Sequence, residues 1–189
     1  MFFMKRLIII LILTLNFQSL TKADDISDFQ IGDLSIGDSL LDHFTKIEIK
    51  NFDRIKDFKD KKYSGIKIID YKKFNEIQLM YLTKDKNKII YGISAIKDFD
   101  NNFNDCKKER TSTIDNLKTI FKSAKLHGPK TKKHTKNSKW EGYAYIYNSG
   151  DMGVFACYYS KKDKSYKDHM RVSLRVKDYD LWLVNKAYK

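Results

Sequence analysis

The stretch HMRVSLRV, residues 169–176, alternates apolar and polar side chains without a break. Successive side chains of a strand point to opposite faces of a sheet, so this alternation predicts a strand with one buried and one exposed face. The apolar residues are expected to face a core, whereas the polar ones, among them Arg171 and Arg175, are expected to face outward. The stretch therefore predicts an antiparallel sheet with one covered face.

Five other segments have strand-like sequence. Two of them, Trp140–Tyr147 and Val154–Tyr159, are joined by the turn-forming residues Asn148–Gly153 and so predict a hairpin. Three more lie earlier in the chain, at Gly65–Tyr71, Glu76–Thr83 and Ile89–Lys97. The chain thus contains two groups of three predicted strands.

The clearest helix is predicted over Asn104–Lys125, where apolar residues recur at spacings of three and four. Residues 126–129 are expected to end it, because they include a glycine and a proline. Apolar residues between positions 40 and 58 predict two short helices or one irregular helix. Asp178 can cap a short helix at the end of the chain.

The predicted order of elements is helix, three strands, helix, three strands, helix. We therefore expect the α+β class: an antiparallel sheet with helices on one face, built as a possible tandem α-β-β-β repeat plus a C-terminal helix. The pseudo-repeats are expected at about 36–98 and 103–177, within a single domain over residues 24–189.

Residues 1–23 have the three-part layout of a secretory signal peptide. Lys5 and Arg6 precede the aliphatic run Leu7–Leu15, and the small residues Thr21 and Ala23 fit the −3 and −1 positions of a cleavage site. The apolar run has roughly half of the ~20 residues that span a bilayer. We expect cleavage after Ala23 and a periplasmic or secreted protein. The alternative is a membrane anchor formed by the uncleaved segment.

The chain has two cysteines, Cys106 and Cys157. In an exported domain, two cysteines most simply form one disulfide. Cys106 falls close to the apolar stripe of the predicted helix, and Cys157 shares a strand face with Phe155 and Tyr159, so the bond would join helix to sheet. Two free buried thiols, or one reactive thiol, are the alternatives.

The chain is strongly basic, with a formal net charge of +13. A basic surface attracts anionic partners such as lipid head groups, acidic glycans or acidic proteins, and export argues against nucleic acid. Only five of the 37 basic residues are arginine, however, and Lys, Ile, Asn, Tyr and Phe all have A/T-rich codons. Compositional drift is therefore an alternative explanation of the charge.

A lysine-rich loop is predicted over Lys130–Lys139, between the long helix and the second group of strands. Its lysines are expected to contact anions without selecting among them, because a flexible ammonium group offers no bidentate geometry. The candidate binding residues of this loop are Lys130, Lys132, Lys133 and Lys136.

An aromatic face is the second candidate surface. Three tyrosines alternate along one predicted strand, a fourth lies on its neighbour, and two arginines of the last strand point outward. Tyrosine and arginine are typical of interaction surfaces, and tyrosine rings also stack on sugars. If helices cover this face, the tyrosines belong to the edge of the core instead. The candidate residues are Tyr143, Tyr145, Tyr147, Tyr158, Arg171 and Arg175.

The sequence has no pattern typical of catalysis or metal binding. Its four histidines lack zinc-ligand spacing, and there is no nucleophile elbow or phosphate-binding glycine loop. The acidic stretch 98–105 resembles part of a calcium loop but lacks the central glycine and the final glutamate, which favours a helix-capping turn. We therefore expect no catalytic residue, no metal and no cofactor.

Two family resemblances add to these observations. Residues 26–31 and 35–42 resemble the start of a group of small exported proteins of unknown function from A/T-rich marine bacteria, which implies export but no activity. A helix that ends in Leu126–Pro129, followed by a strand with Trp140 and Tyr143, is similar to the pattern of the SmpA/OmlA (BamE-like) and β-lactamase-inhibitor-like repeats. That resemblance implies a non-enzymatic envelope or inhibitor module with helices packed on three- or four-stranded sheets.

The sequence thus predicts an exported, non-enzymatic protein that binds another protein or an envelope component through a sheet face and a basic loop. The alternative is a soluble binder of a glycan or a small anionic ligand.

Replacing Lys130, Lys132, Lys133 and Lys136 with glutamine tests the basic loop. If these lysines contact anions, the variant should bind anionic vesicles much more weakly at low salt, because exposed charges attract over a distance that salt shortens. Cosedimentation with vesicles at low and high ionic strength measures the effect. Unchanged binding at low salt would show that the loop is not an anion contact.

Overall fold

The computed structural model describes residues 25–100, 102–135, 138–160 and 167–189. The predicted signal peptide, residues 1–23, and the candidate Lys136 lie outside these ranges.

The fold is mixed α and β, with one large antiparallel sheet in the order β3-β4-β5-β6-β10-β9-β8-β7. A separate two-stranded hairpin, β1 (Gln30–Ile31) and β2 (Leu34–Ser35), precedes it. All six predicted strands are present. The sheet strands are β3 (Asp53–Ile55), β4 (Tyr63–Tyr71), β5 (Phe74–Leu82), β6 (Ile90–Asp98), β7 (Lys125–Thr135), β8 (Ser138–Ile146), β9 (Met152–Ser160) and β10 (His169–Arg175).

The helices are short apart from one. They are a 3-10 helix (Ile26–Asp28), α1 (Leu40–His43), α2 (Lys46–Asn51), α3 (Phe103–Leu117) and α4 (Lys177–Asn185). Of the two alternatives predicted for residues 40–58, the structure has two short helices, α1 and α2. The helical prediction is wrong beyond Asn51, because Asp53–Ile55 pairs with β4 as strand β3. Helix α2 begins with a capping box, in which Thr45 and Glu48 each satisfy the other's backbone N–H. None of the described helices is long and apolar enough to cross a membrane.

Each half of the sheet is a four-stranded meander preceded by a helix. Strands β3 to β6 pair in sequence order after α2, and β7 to β10 pair in sequence order after α3. The two meanders meet at their last strands, β6 and β10. Both halves therefore have the order helix then four strands, where the sequence predicted three.

Strand β7 corrects the predicted lysine-rich loop. It lies at one edge of the sheet and pairs with β8 alone, with an interruption in register at Gly128–Pro129. Lysine, glycine and proline have low strand propensity, so the sequence indicates a loop. An edge strand accepts them, because one row of its backbone groups needs no partner and charged side chains keep other chains from pairing with it.

Helix α3 ends at Leu117, earlier than the predicted Lys125, because Phe121 leaves the helix to enter the core. Its ring lies between those of Phe29 and Tyr145, with centroid distances of 4.1 and 4.6 Å. The Phe121 side chain is fully buried. Burial of a large aromatic ring here outweighs continuation of a helix through residues of modest helix propensity.

One face of the sheet, which we call the core face, packs against the N-terminal segment and helices α1 to α3. Leu174 of β10 lies in its centre and is fully buried, as the alternation of residues 169–176 predicts. The other buried strand residues of this cluster include Ile66, Ile77, Leu79, Ile93 and Phe155.

Helix α4 covers part of the opposite face, which corrects the expectation that all helices lie on one side. Its Tyr179 and Trp182 pack against Tyr63 and Met80 in a second hydrophobic cluster. Gly92 makes this approach possible, because a Cβ there would lie 2.5 Å from the Tyr179 ring. The large apolar residues that β4 and β5 carry on this face need a cover, and the terminal helix supplies it.

A disulfide and a buried arginine fix α3 to the core face. The predicted bond between Cys106 and Cys157 is present, with a Cα–Cα distance of 6.0 Å, and it joins α3 to β9. In the chain-entropy model, closing a loop of this length raises the free energy of unfolding by about 4 kcal/mol, because it restricts the unfolded chain. One turn later, Arg110 donates hydrogen bonds to the main-chain oxygen of Glu141 at 2.6 Å and to its carboxylate at 2.7 Å.

Tyr145→Ala should lower the free energy of unfolding by about 3–5 kcal/mol, because the ring is 3% exposed and its removal leaves a cavity beside Phe121. Tyr145→Phe keeps the ring and loses only the hydrogen bond from the hydroxyl to the Ile114 carbonyl, so about 1 kcal/mol is expected. Urea denaturation of both variants measures the difference. Equal stability of the alanine variant and the unaltered protein would contradict the packing described here.

Candidate functional site: the open face of strands β7 to β10

The half of the opposite face formed by β7 to β10 has a cleft of about 270 Å³. Every residue that lines the cleft belongs to one of these four strands, so the described helices leave it uncovered. Side chains that pair directly across neighbouring strands share a face. The register therefore defines this surface row by row, and we call the surface formed by the four rows below the open patch.

The central row has a cation at each end and almost no side chain between them. Lys130 pairs with Gly142, Gly142 with Ala156, and Ala156 with Arg171. A Cβ at position 142 would lie 2.8 Å from the Cβ of Ala156, so β8 and β9 leave no space for a larger residue. Both residues are buried and line the cleft between longer side chains.

The next row also has short side chains at its centre. His127 pairs with Ala144, Ala144 with Val154, and Val154 with Ser173. Ser173 is buried and its hydroxyl lies 2.8 Å from that of Ser94 in β6. Small side chains of these two rows, on β8 and β9, form what we call the floor: Gly142, Ala144, Val154 and Ala156.

An aromatic row borders the floor on one side. Lys132 pairs with Trp140, Trp140 with Tyr158, and Tyr158 with His169. The Tyr158 ring stacks on His169 with a centroid distance of 4.8 Å, and the Arg171 guanidinium lies 5.6 Å from the same ring. These contacts hold Tyr158 and Arg171 in fixed positions beside the floor.

A mainly aliphatic row borders the floor on the other side. Lys125 pairs with Ile146, Ile146 with Met152, and Met152 with Arg175. Arg175 donates a hydrogen bond to the Asp180 carboxylate of α4 at 2.9 Å, and both side chains are less than a fifth exposed. The charge of Arg175 is thus balanced within the fold.

The rest of the open patch is positively charged. Lys130, Lys132 and Arg171 form no ion pair with a carboxylate in the ranges that the structure describes. Within the same ranges, the buried Nε of Arg171 has no hydrogen-bond acceptor, and no Asp or Glu lines the cleft. The ammonium groups of the exposed Lys130 and Lys132 are accessible donors, whereas the buried Nε of Arg171 is closed to a ligand.

His169 is the titratable group of the aromatic row. Its Nδ1 lies 3.0 Å from the Lys167 carbonyl oxygen, so the neutral ring donates from Nδ1. Its Nε2 is buried without a partner among the described residues. Burial, and to a lesser extent the charge of Arg171, lower the pKa of His169. The hydrogen bond to the Lys167 carbonyl and the nearby carboxylates of Asp98 and Asp168 oppose this shift.

Tyr145 and Tyr147 lie on the core face, whereas Tyr143, on the same side of β8 as Tyr145, is also among the residues that line the cleft. Tyr145 and Tyr147 are buried, and the Tyr143 ring contacts the guanidinium of Arg110 at 5.0 Å. The core-packing alternative therefore describes these residues, because helix α3 and Phe121 cover the face to which they point.

The structure brings together five predicted residues that the sequence had assigned to two separate surfaces. Lys133 points to the other side of β7, where it pairs with Lys139. Lys136 lies outside the described ranges. The five residues on the open patch are Lys130, Lys132, Tyr158, Arg171 and Arg175.

Trp140 and the floor are not among the candidate binding residues predicted from the sequence. Strand alternation contains the signal: Tyr143 and Tyr145 of β8 and Tyr147 just after it occupy odd positions. The even positions hold Trp140, Gly142, Ala144 and Ile146. The tyrosines have the composition of a binding surface, but the side chains at the even positions are the ones that face the open patch.

The site offers aromatic contact, a low apolar floor and cationic hydrogen-bond donors. Among the described residues, no group of three or more His, Cys, Asp or Glu side chains could hold a metal ion. The open patch thus combines aromatic, apolar and cationic side chains on one surface.

Comparison with known proteins finds no protein-family model, no curated protein and no solved structure that matches the chain. Fold and site therefore define the class: a mixed α and β protein with an eight-stranded antiparallel sheet, helices on both faces, and an uncovered basic and aromatic patch on one of them.

The free energy of unfolding should fall as the pH drops below about 6.5, in part because His169 resists protonation in the fold. Because the pKa of His169 is lower in the folded than in the unfolded protein, the stability that neutral His169 contributes is fully present above the unfolded pKa. That stability is lost as the pH falls through the pKa of the folded protein. His169→Gln should make stability less dependent on pH between 7 and 5. Denaturation at several pH values measures this, and identical slopes for both proteins would contradict it.

Proposed function

We propose that this protein is an exported, non-enzymatic binding module that recognises an acidic envelope protein or another acidic envelope component through the open patch. One observation supports this more than any other: a half-sheet with Trp140, Tyr158 and Arg171 around a low floor has no cover among the described helices. Stable folds bury such surfaces unless a partner uses them.

The composition of the open patch supports a protein or polymer partner. Tryptophan, tyrosine and arginine provide most of the binding energy in known interfaces, and they act best around a centre from which water is excluded. Here Tyr158 and Arg171 are held in place by their contact with each other and with His169. Fixed side chains lose little conformational entropy when a partner binds.

The positive charge of the patch supports an acidic partner. Lys130 and Lys132 extend from the edge strand into solvent, where they can attract an anion before contact is made. Export is part of the proposal because residues 1–23 have the layout of a signal peptide and the cysteines form a disulfide.

The two resemblances contribute differently to the proposal. The helix-and-meander halves suit the helix-on-sheet architecture of the SmpA/OmlA (BamE-like) and β-lactamase-inhibitor-like repeats, which are non-enzymatic modules. The sequence pattern contributes less, because Leu126–Pro129 lies on strand β7 and not at the end of a helix. The resemblance to small exported proteins supports the location alone.

A photo-crosslinking amino acid at Lys132, introduced into the protein in intact cells, tests the proposal. We expect one dominant cross-linked species from Lys132 and none from Ile47, which is 73% exposed on α2. Ala144→Glu, which places a carboxylate on the floor, should abolish the cross-link while thermal unfolding shows an intact fold. The same species from both positions, or a cross-link that survives Ala144→Glu, would contradict a role for the open patch.

A further inference from the structure

We propose that the open patch binds a carboxylated saccharide that lies across strands β8 and β9, with a sugar ring against Trp140 and with carboxylates at Lys130 and Arg171. This inference rests on the proposed function in one respect, that the open patch is the binding surface, and it names the chemistry of the ligand.

Trp140 differs from the other described aromatic residues. It is half-buried, yet its ring has neither an aromatic nor a cationic partner in the described ranges, whereas Tyr158 beside it has both. Its indole N–H also donates to none of the described residues. The ring borders the floor, so a ligand on Gly142 would touch it. The negative face of an indole ring attracts the C–H groups of a sugar ring.

Lys130 and Arg171 determine where acidic groups would lie. They occupy the two ends of the central row, three strand spacings apart, so their Cα atoms are separated by about 14 Å. Neither has a carboxylate partner in the part of the chain that the structure describes. Two cations at this separation suit an extended ligand with several negative groups better than a single head group.

The floor between these cations favours a flat polymer over a lipid. Gly142 and Ala156 are buried and line the cleft of about 270 Å³, and neither side chain is large enough to fill it. An acyl chain needs a deep apolar channel, which the cleft does not provide. A sugar ring needs a flat surface beside an aromatic ring, and the floor beside Trp140 provides one.

The residues of the cleft also favour an acidic sugar over a neutral one. Hydroxyl donors of neutral sugars are commonly matched with side-chain acceptors such as carboxylates, but the cleft residues carry no Asp or Glu. Its charged groups are donors alone. A saccharide whose carboxylates accept these hydrogen bonds fits the open patch electrostatically, in keeping with the basic surface predicted from the sequence.

Isothermal titration calorimetry of the purified protein with tetragalacturonate tests this inference, with the fully methyl-esterified tetrasaccharide as the matched neutral ligand. We expect the acid to bind and the ester to bind at least about tenfold more weakly, since esterification removes the charge that Lys130 and Arg171 would pair with. Trp fluorescence should change on binding, because Trp140 and the buried Trp182 are the two tryptophans of the chain.

Three variants assign the contacts. Trp140→Ala, Lys130→Gln and Arg171→Gln should each weaken binding about tenfold or more, whereas Lys86→Gln, in the exposed β5–β6 turn, should leave it unchanged. Lys130 is exposed, so its variant tests the site even if Trp140→Ala unfolds. Equal binding of acid and ester, or equal loss in the Lys86 variant, would overturn the inference.

Tetraglutamate, a peptide with the same number of carboxylates, separates the sugar from an acidic protein. Tighter binding of the peptide, with loss in Arg171→Gln, would overturn the saccharide inference and leave the proposed function standing. If Ala144→Glu abolishes the Lys132 cross-link but the unaltered protein does not bind tetragalacturonate, the saccharide inference is likewise overturned and the proposed function stands. A cross-link that is insensitive to Ala144→Glu, by contrast, would remove the common basis of both.

Discussion

The backbone pairing between β6 and β10 is the constraint on which the rest of the structure depends. Seven residue pairs in continuous register, from His169–Asp98 to Arg175–Gly92, join two meanders into one sheet. A shift of one residue would turn Leu174 toward the opposite face and Arg171 toward the core, because the side-chain period of a strand is two. The register of this ladder therefore determines which residues of β10 are buried in the core and places Arg171 and Arg175 on the open patch.

One half of the opposite face is covered by helix α4 and the other half is not. Over β4 to β6, α4 buries Tyr179 and Trp182 against Tyr63 and Met80, and Gly92 provides the space. Over β7 to β10 the described helices leave the cleft uncovered. Helix α4 reaches this half through Asp180, which pairs with Arg175, and through Lys177, whose backbone N–H donates to the Asp151 carboxylate. The nine-residue length of α4 is too short, at about 14 Å, to reach across eight strands. An open face is thus a consequence of a wide sheet and a short final helix.

The lysines of β7 can serve stability and binding together. An edge strand with exposed lysines resists pairing with other chains, so Lys130 and Lys132 need no ligand to explain their presence. Compositional drift explains lysine equally well. Neither explanation accounts for Arg171, whose Nε is buried without an acceptor among the described residues, or for Trp140 beside a floor of small residues. These two residues, more than the net charge, make the open patch a specific candidate.

The sequence alone determined the six main strands, the two cysteines that pair, and which side chains of β10 face the core. These features depend on local alternation and on residue type. It did not determine that Lys130 and Lys132 lie on a strand, that α3 stops before Phe121, or that α4 crosses to the opposite face. Each of these depends on contacts between distant segments: the free edge beside β8, the space between Phe29 and Tyr145, and the apolar surface of β4 and β5. The candidate site has the same origin, since only the successive pairing of β7 with β8, of β8 with β9 and of β9 with β10 places Lys130, Trp140 and Arg171 on one surface.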